Sequence, residues 1–266
     1  MESFRRALSR STIVAAAGVA CLAATTGSAG AIINGKDATQ SYSFMASIPI
    51  SAPGLGLKDG VCGAALIHPQ WVVTAAHCLN KDIGSIPTGE VRIGSDQRKS
   101  GGTVRKIAQA VVHPRFAQDT PNKNDIALVR LDRPVSYKPI RIAERPGRPG
   151  TPTRIIGFGI TEFKRNPADW KMSQRLQELD TRRGARSECG PGYATKTRLC
   201  TVSQVPDAMA CNGDSGSPQI QRGRRGRWEL IGVTSGPGAA SPSCAEGPGL
   251  YTNVPAYAEW ISKTIR

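Results

Sequence analysis

The sequence predicts an all-β fold, mostly antiparallel, arranged as two barrels and closed by one C-terminal helix. Strand-length runs rich in Val and Ile recur between Gly, Pro, Asn and Asp along most of the chain. A Pro- and Gly-rich segment that can sustain neither ladder nor helix divides those runs near the middle. Only the last segment has helical spacing. A chain of 266 residues, 39% of them hydrophobic, can bury the core of one or two domains, which excludes a disordered tail or a miniprotein.

Taken in order, residues 1–31 read as an export signal. Arg5, Arg6 and Arg10 form a basic head, residues 13–24 an apolar stretch, and Ala29-Gly30-Ala31 a small-x-small site of the kind signal peptidase cuts. The apolar stretch is shorter than the ~18–20 residues of a membrane span. A lipidation site at Cys21 fits poorly with the residues before it. The strand-like runs are then "FMASIPI" (44–50), "GAALIHPQWVVTAA" (63–76), "VRIG" (91–94), "TVRKIAQAVVHP" (103–114) and "DIALVRL" (125–131). "ERPGRPGTPT" (144–153) marks the barrel boundary, giving an N-terminal barrel over about 32–144 and a C-terminal barrel over about 145–266. "TRIIGFGI" (153–160) and "WELIGVTS" (228–235) follow. In "VPAYAEWISKTIR" (254–266), Ala256, Trp260, Ile261 and Ile265 fall on one helical face.

The formal charge is +15, and removal of residues 1–31 leaves about +13. The arginine cluster "GRRGR" (223–227) lacks any nucleic-acid module or aromatic interleaving, so the basic surface is read as soluble, with some attraction for anionic substrates or cell walls. Without Cys21 the cysteines number six: Cys62, Cys78, Cys189, Cys200, Cys211 and Cys244. An even set in an exported chain favours disulfides; zinc lacks ligand-like short spacings, and the sequence holds three histidines. "SDQRKSGG" offers no calcium-binding carboxylate set, so neither metal nor cofactor is implied.

Three positions acquire meaning together. His77 follows a strand-like run in "VVTAAHC", Asp125 opens a buried run in "NKNDIALVRL" where it needs a partner, and Ser215 lies between glycines in "CNGDSGSP". Singly they read as a structural histidine, a turn residue and a loop serine. Jointly they supply a nucleophile, a general base and a carboxylate that orients the base.

With "IINGKDA", "TAAHC", "NDIAL", "GFG", "CNGDSGSP" and "PGLYTNV", the chain from Ile32 to Arg266 resembles the trypsin-like and chymotrypsin-like serine endopeptidases. An α/β-hydrolase would instead show the order Ser, Asp, His within a βα alternation. The resemblance implies two six-stranded antiparallel barrels, a secreted and extracellular location, polypeptide substrates and a monomer that a proteinaceous inhibitor can engage. It implies no nucleic-acid partner and no stable membrane association after signal removal. By residue, it implies His77 as base, Asp125 as its orienting carboxylate, Ser215 as nucleophile, and the N–H groups of Gly213 and Ser215 as an oxyanion hole. It implies an ion pair between the freed amine of Ile32 and Asp214; Gly30 and Ala31 offer no basic residue for the second cut of a zymogen, so signal cleavage after Ala31 is expected to free that amine itself. It implies the pairings Cys62–Cys78, Cys189–Cys200 and Cys211–Cys244.

The same resemblance places Met209 at the base of the primary specificity pocket, with Ala210 and Gly249 beside it. The pocket is then apolar and selects apolar side chains, unless Asp207 swings in to favour basic ones. Ser235, Gly236 and Pro237 fall on the substrate-pairing strand, where the family usually has Ser-Trp-Gly. Gly236 removes an apolar platform and Pro237 an N–H donor. Ser217 stands where glycine is commoner. The alternative is a catalytically weak or inactive cationic binding protein on the same fold, although all three candidate catalytic residues are present.

Overall fold

Nearly continuous runs of buried, mostly apolar residues over Leu57–His68, Trp71–Thr74 and Ala127–Leu131 fill the first barrel, whereas buried polar side chains help to close the second. The computed structural model describes residues 32–80, 86–241 and 243–266. The predicted export signal lies outside the described residues.

The first barrel uses β2 (Met45–Ala52), β3 (Leu57–His68), β4 (Trp71–Thr74), β6 (Glu90–Ile93), β7 (Thr103–Val112) and β8 (Ala127–Leu131). They pair antiparallel in the order β3-β4-β8-β7-β6-β2, and β2 pairs back to β3 to close the ring. A two-residue β5 (Ile86–Pro87) hangs on β2. The single apolar run expected over 63–76 is two strands, because Pro69 and Gln70 turn the chain between His68 and Trp71.

The second barrel uses β10 (Pro152–Gly157), β11 (Gln177–Arg183), β12 (Arg198–Ser203), β13 (Pro218–Arg222), β14 (Trp228–Pro237) and β15 (Gly249–Asn253). The order is β11-β10-β13-β14-β15-β12, closed by β11–β12. Two short strands join it from earlier in the chain: β1 (Lys36–Asp37) pairs with β11, and β9 (Arg141–Ile142) runs parallel to β14. Residues 32–37 thus attach to the second barrel although they precede the first. Ile32 packs among Leu199, Met209, Ile231 and Tyr251.

The C-terminal segment begins as a 3-10 turn, Val254–Tyr257, and continues as α1 (Ala258–Thr264). Its buried face differs from the expected one at Ala256, which is exposed. The tighter first turn rotates Val254 and Tyr257 inward, and Ile261 follows one turn later. His113 of the first barrel packs edge-on against Tyr257 and Trp260, so the helix straps the barrels together.

In the second barrel, Glu178 is wholly buried on β11. It accepts from Thr39 Oγ1 at 2.8 Å and Tyr42 Oη at 2.7 Å, and Arg154 Nη1 lies 2.9 Å away. Burial pushes the Tyr42 hydroxyl up to about 12. Gln219, also wholly buried, donates to Thr153 at 3.2 Å and Thr201 at 2.8 Å. Glu178→Ala removes the buried acceptor of Thr39 and Tyr42 and leaves a cavity, while Arg154 keeps its bidentate pair with Asp180, and is expected to cost about 2 kcal/mol, read as a lower urea midpoint at unchanged slope.

Candidate active site

Antiparallel pairing brings the first two candidate residues together. β4 pairs with β8 so that Thr74 faces Ala127. The chain leaving β4 turns through the 3-10 segment Ala76–Leu79, which presents His77, and the chain entering β8 carries Asp125. Both side chains therefore project from the same end of one ladder. A disulfide from Cys78 to Cys62 on β3 holds the histidine turn to the barrel.

Asp125 is 1% exposed and fully engaged. Its Oδ1 accepts from His77 N at 3.0 Å, and its Oδ2 lies 2.8 Å from His77 Nδ1. An ionised carboxylate only accepts, so Nδ1 carries the proton and Nε2 faces away with its lone pair free. Ser235 Oγ donates to Oδ2 at 2.6 Å and Asn122 Nδ2 at 3.3 Å, while Thr252 Oγ1 donates to the Asp125 carbonyl at 2.7 Å. Ser235 and Thr252 belong to the second barrel, so the carboxylate sits on the seam. Burial pushes the Asp125 carboxyl up, but the His77 charge and these donors hold it below its ordinary value. Burial disfavours a charged His77, yet the Asp125 charge and hydrogen bond outweigh it and raise the imidazole.

Ser215 lies in an irregular loop between Cys211 and β13. Gly213 and Gly216 have φ of 90° and 76°. A Cβ on Gly213 would stand 2.5 Å from Met172 Sδ, and one on Gly216 would fall within the contact distance of Thr74 and of the Gly63 carbonyl, so both positions require glycine. The loop is fastened to both barrels. Gly63 N donates to the Ser215 carbonyl at 2.8 Å, and Gly216 N donates to the Thr234 carbonyl at 2.8 Å. Among the described residues, the N–H groups of Gly213 and Ser215 donate to no protein acceptor, and Ser215 Oγ has no side-chain hydrogen bond. The half-buried hydroxyl, two free N–H groups and the His77–Asp125 pair are the site's chemical resources.

Asp214 is wholly buried and accepts from Gly159 N at 2.9 Å and Cys211 N at 3.0 Å. Burial pushes its carboxyl up to about 7 despite those two bonds. In this chain the Ile32 nitrogen is a peptide nitrogen bonded to Ala31, so the ion pair expected of its freed amine belongs to the cleaved chain. Ile32 is nonetheless seated nearby: the next residue, Ile33, donates to the Met209 carbonyl at 3.1 Å, and Met209 precedes Cys211 by two positions.

Met209 is 1% exposed, and its Sδ lies against the Cα face of Gly249, where an added Cβ would meet it at 2.9 Å. Ala210 is half-buried beside it. Asp207 is exposed, with its carbonyl held by Asn34 Nδ2 at 2.9 Å. Gly236 pairs with Leu250 and Pro237 with Gly249 on the β14–β15 ladder, and a Cβ on Gly236 would meet open space. Ser217 is buried against Gly63, and its hydroxyl has no hydrogen-bond partner among the described residues. Disulfides join Cys189 to Cys200 and Cys211 to Cys244, the latter tying the serine loop to the wall before β15.

Sequence reasoning missed Asn122, Thr252 and Arg198. Arg198, on β12, is 8% exposed, and it donates to the carbonyls of Pro121 at 3.3 Å, Asn122 at 3.1 Å and Gly192 at 2.7 Å. It fixes the segment from which Asn122 reaches Asp125. A charged residue at a strand start reads as exposed, so no local signal identifies it.

Two closed six-stranded barrels with a C-terminal helix form the chymotrypsin fold, with the His77–Asp125 pair at the barrel seam and the Ser215 loop bonded to both barrels. Residues 32–261 match the trypsin family model. The chain belongs to the trypsin family of serine proteases, which implies polypeptide substrates. It is 32% identical over 221 residues to thrombin-like enzyme acutin of Deinagkistrodon acutus, covering 77% of this chain and 85% of that protein. It is 31% identical over 221 residues to ovochymase of Halocynthia roretzi, covering 76% of this chain but 13% of that longer protein. Its fold superposes on neuropsin, a serine protease expressed in the limbic system of mouse brain, with a TM-score of 0.70 and 26% identity over 88% of this chain and all of that one.

Arg198→Met leaves three carbonyls without their charged donor and is expected to cost about 2 kcal/mol. Amide exchange in residues 122–126 should quicken more than in β7, and an unchanged exchange pattern would remove the positioning role.

Proposed function

We propose that the protein is a secreted serine endopeptidase in which His77, Asp125 and Ser215 act as a triad. The observation that carries this reading is the 2.8 Å His77–Asp125 contact at the mouth of a loop offering a free Ser215 hydroxyl and two undonated N–H groups. Ser215 Oγ attacks the scissile carbonyl while His77 Nε2 takes its proton. The N–H groups of Gly213 and Ser215 receive the oxyanion, where one such donor typically contributes about 3 kcal/mol. His77 returns the proton to the leaving amine, and water then hydrolyses the acyl-enzyme by the same route. Asp125 holds the imidazole in its Nδ1–H tautomer and stabilises the imidazolium. Three disulfides suit an oxidising, extracellular setting.

The primary specificity pocket is apolar in this reading. Met209, Ala210 and Gly249 leave a cationic side chain no partner, and the outward position of Asp207 supports that assignment. Gly236 offers no platform to the substrate and Pro237 no N–H, so an extended peptide is held by Ser235 backbone and fewer apolar contacts. Activation follows cleavage before Ile32. Its new ammonium pairs with Asp214, lowers the raised carboxyl and removes the cost of burying it unpaired.

Serine-directed phosphonylation of material shown by N-terminal sequencing to begin at Ile32 should label Ser215 and not a Ser215→Ala control, and library cuts should follow apolar residues. Cuts after Arg or Lys would overturn the pocket, an N-terminus at Gly30 would overturn activation by signal cleavage, and absence of labelling would favour the cationic binding protein.

Because His77 must be neutral to accept a proton and Asp125 raises it, kcat/KM should climb with pH through a value above that of a free histidine. Asp125→Asn removes the charge that holds the imidazolium, so the acid limb should move to lower pH and kcat fall about 10⁴-fold. A limb that stays in place would separate Asp125 from the base.

A further inference from the structure

Two sequence features that the proteolytic site leaves unused meet in space. The barrel linker "ERPGRPG" and the β13–β14 hairpin "GRRGR" form the walls of one open cleft of about 940 Å³. It lies at the far end of β13 from Ser215, since β13 starts at Pro218 beside the serine loop and ends at Arg222 in the cleft wall. Seven arginines and two glutamates line it. Arg141 is paired with Glu144 at 3.2 Å, and Arg222 stacks on Trp228 at 3.7 Å. Arg145, Arg148, Arg224, Arg225 and Arg227 are exposed and have no carboxylate partner among the described residues.

The walls are held in register. Gln221, 8% exposed, accepts from Gly147 N at 2.8 Å and donates to the Arg145 carbonyl at 3.2 Å, which rivets the linker to β13. β9 runs parallel beside β14, setting Arg141 opposite Glu229. At the hairpin tip Arg225 adopts φ 67°, so successive arginine side chains splay rather than stack along one face. Like charges brought this close repel one another, and a bound polyanion would relieve that repulsion.

Glu229 narrows the chemistry. It is half-buried in the same wall, its carboxylate lies against Gly223, and no ion pair engages it among the described residues. A carboxylate among arginines opposes a ligand made only of anionic groups but accepts from a hydroxyl. We propose that this cleft binds an anionic polysaccharide, with sulfate or phosphate groups on the five unpaired arginines and a sugar hydroxyl on Glu229. The site would hold the protein on an anionic carbohydrate matrix while leaving Ser215 open. Neither the binding nor its test depends on the proteolytic assignment.

The test measures binding of a sulfated hexasaccharide, a phosphorylated one of equal charge, inorganic polyphosphate and a short DNA duplex to the full mature chain. The triple variant Arg224→Ser, Arg225→Ser, Arg227→Ser should bind the hexasaccharides at least about tenfold more weakly at ~0.15 M salt and show a log–log salt slope smaller by about 2. A control triple with the same charge loss elsewhere, Lys58→Ser, Lys138→Ser, Lys196→Ser, should change binding less than about twofold. Glu229→Gln should weaken hexasaccharide binding and strengthen polyphosphate binding, an opposition that general attraction cannot produce. The better of the two hexasaccharides identifies the anionic group. Thermal melts should show all variants folded. Equal losses in both triples, or tighter binding of polyphosphate or DNA than of either hexasaccharide, would overturn the proposal.

Discussion

The seating of the Asp125 carboxylate is the constraint on which the rest of the structure depends. A charge this deeply buried is tolerated only where each lone pair finds a donor. His77, Ser235 and Asn122 supply them, and Thr252 secures the carbonyl of the same residue. Those donors come from both barrels, so the site exists only when the barrels have docked. The linker, the C-terminal helix over His113 and the bond from Gly63 to the Ser215 carbonyl all serve that docking.

Asp214 poses the same problem with a different solution. Two N–H groups leave its carboxyl at about 7, so between an ordinary aspartate value of about 4 and that point the folded chain keeps a proton that the unfolded chain has lost. Stability therefore falls as pH rises through this window unless a cation arrives. Ile32 is buried in the same apolar cluster as Met209, two positions before Cys211, whose N–H donates to Asp214.

The two barrels were unequally legible. In the first, β2, β6, β7 and β8 follow runs rich in Val, Ile, Leu and Ala, although β7 buries none of its residues fully and β2 also buries Met45 and Ser47. In the second, β11, β12, β13 and β15 escaped, because "QELDTRR" and "PQIQR" place Glu178, Gln219 and Gln221 inward and lose the apolar period. Their burial is compensated by Tyr42, Arg154, Thr153 and Thr201, partners remote in sequence that no local window contains. At the helix, 3-10 winding over Val254–Tyr257 displaced Ala256 from the face that α-helical spacing assigns.

The sequence by itself determined the mostly β character, the closing helix, the even set of six cysteines and the short motifs that carry His77, Asp125 and Ser215. These depend on local period, turn chemistry and motifs short enough to read in one window. Tertiary structure decided which strands close each ring, that residues 32–37 cross to the second barrel, and that Ser235 and Thr252 seat Asp125. It also decided that linker and hairpin arginines share one cleft. Each of these is a pairing between distant segments, chosen by whichever donor, acceptor or apolar surface the fold brings opposite, and a linear chain does not specify that separation.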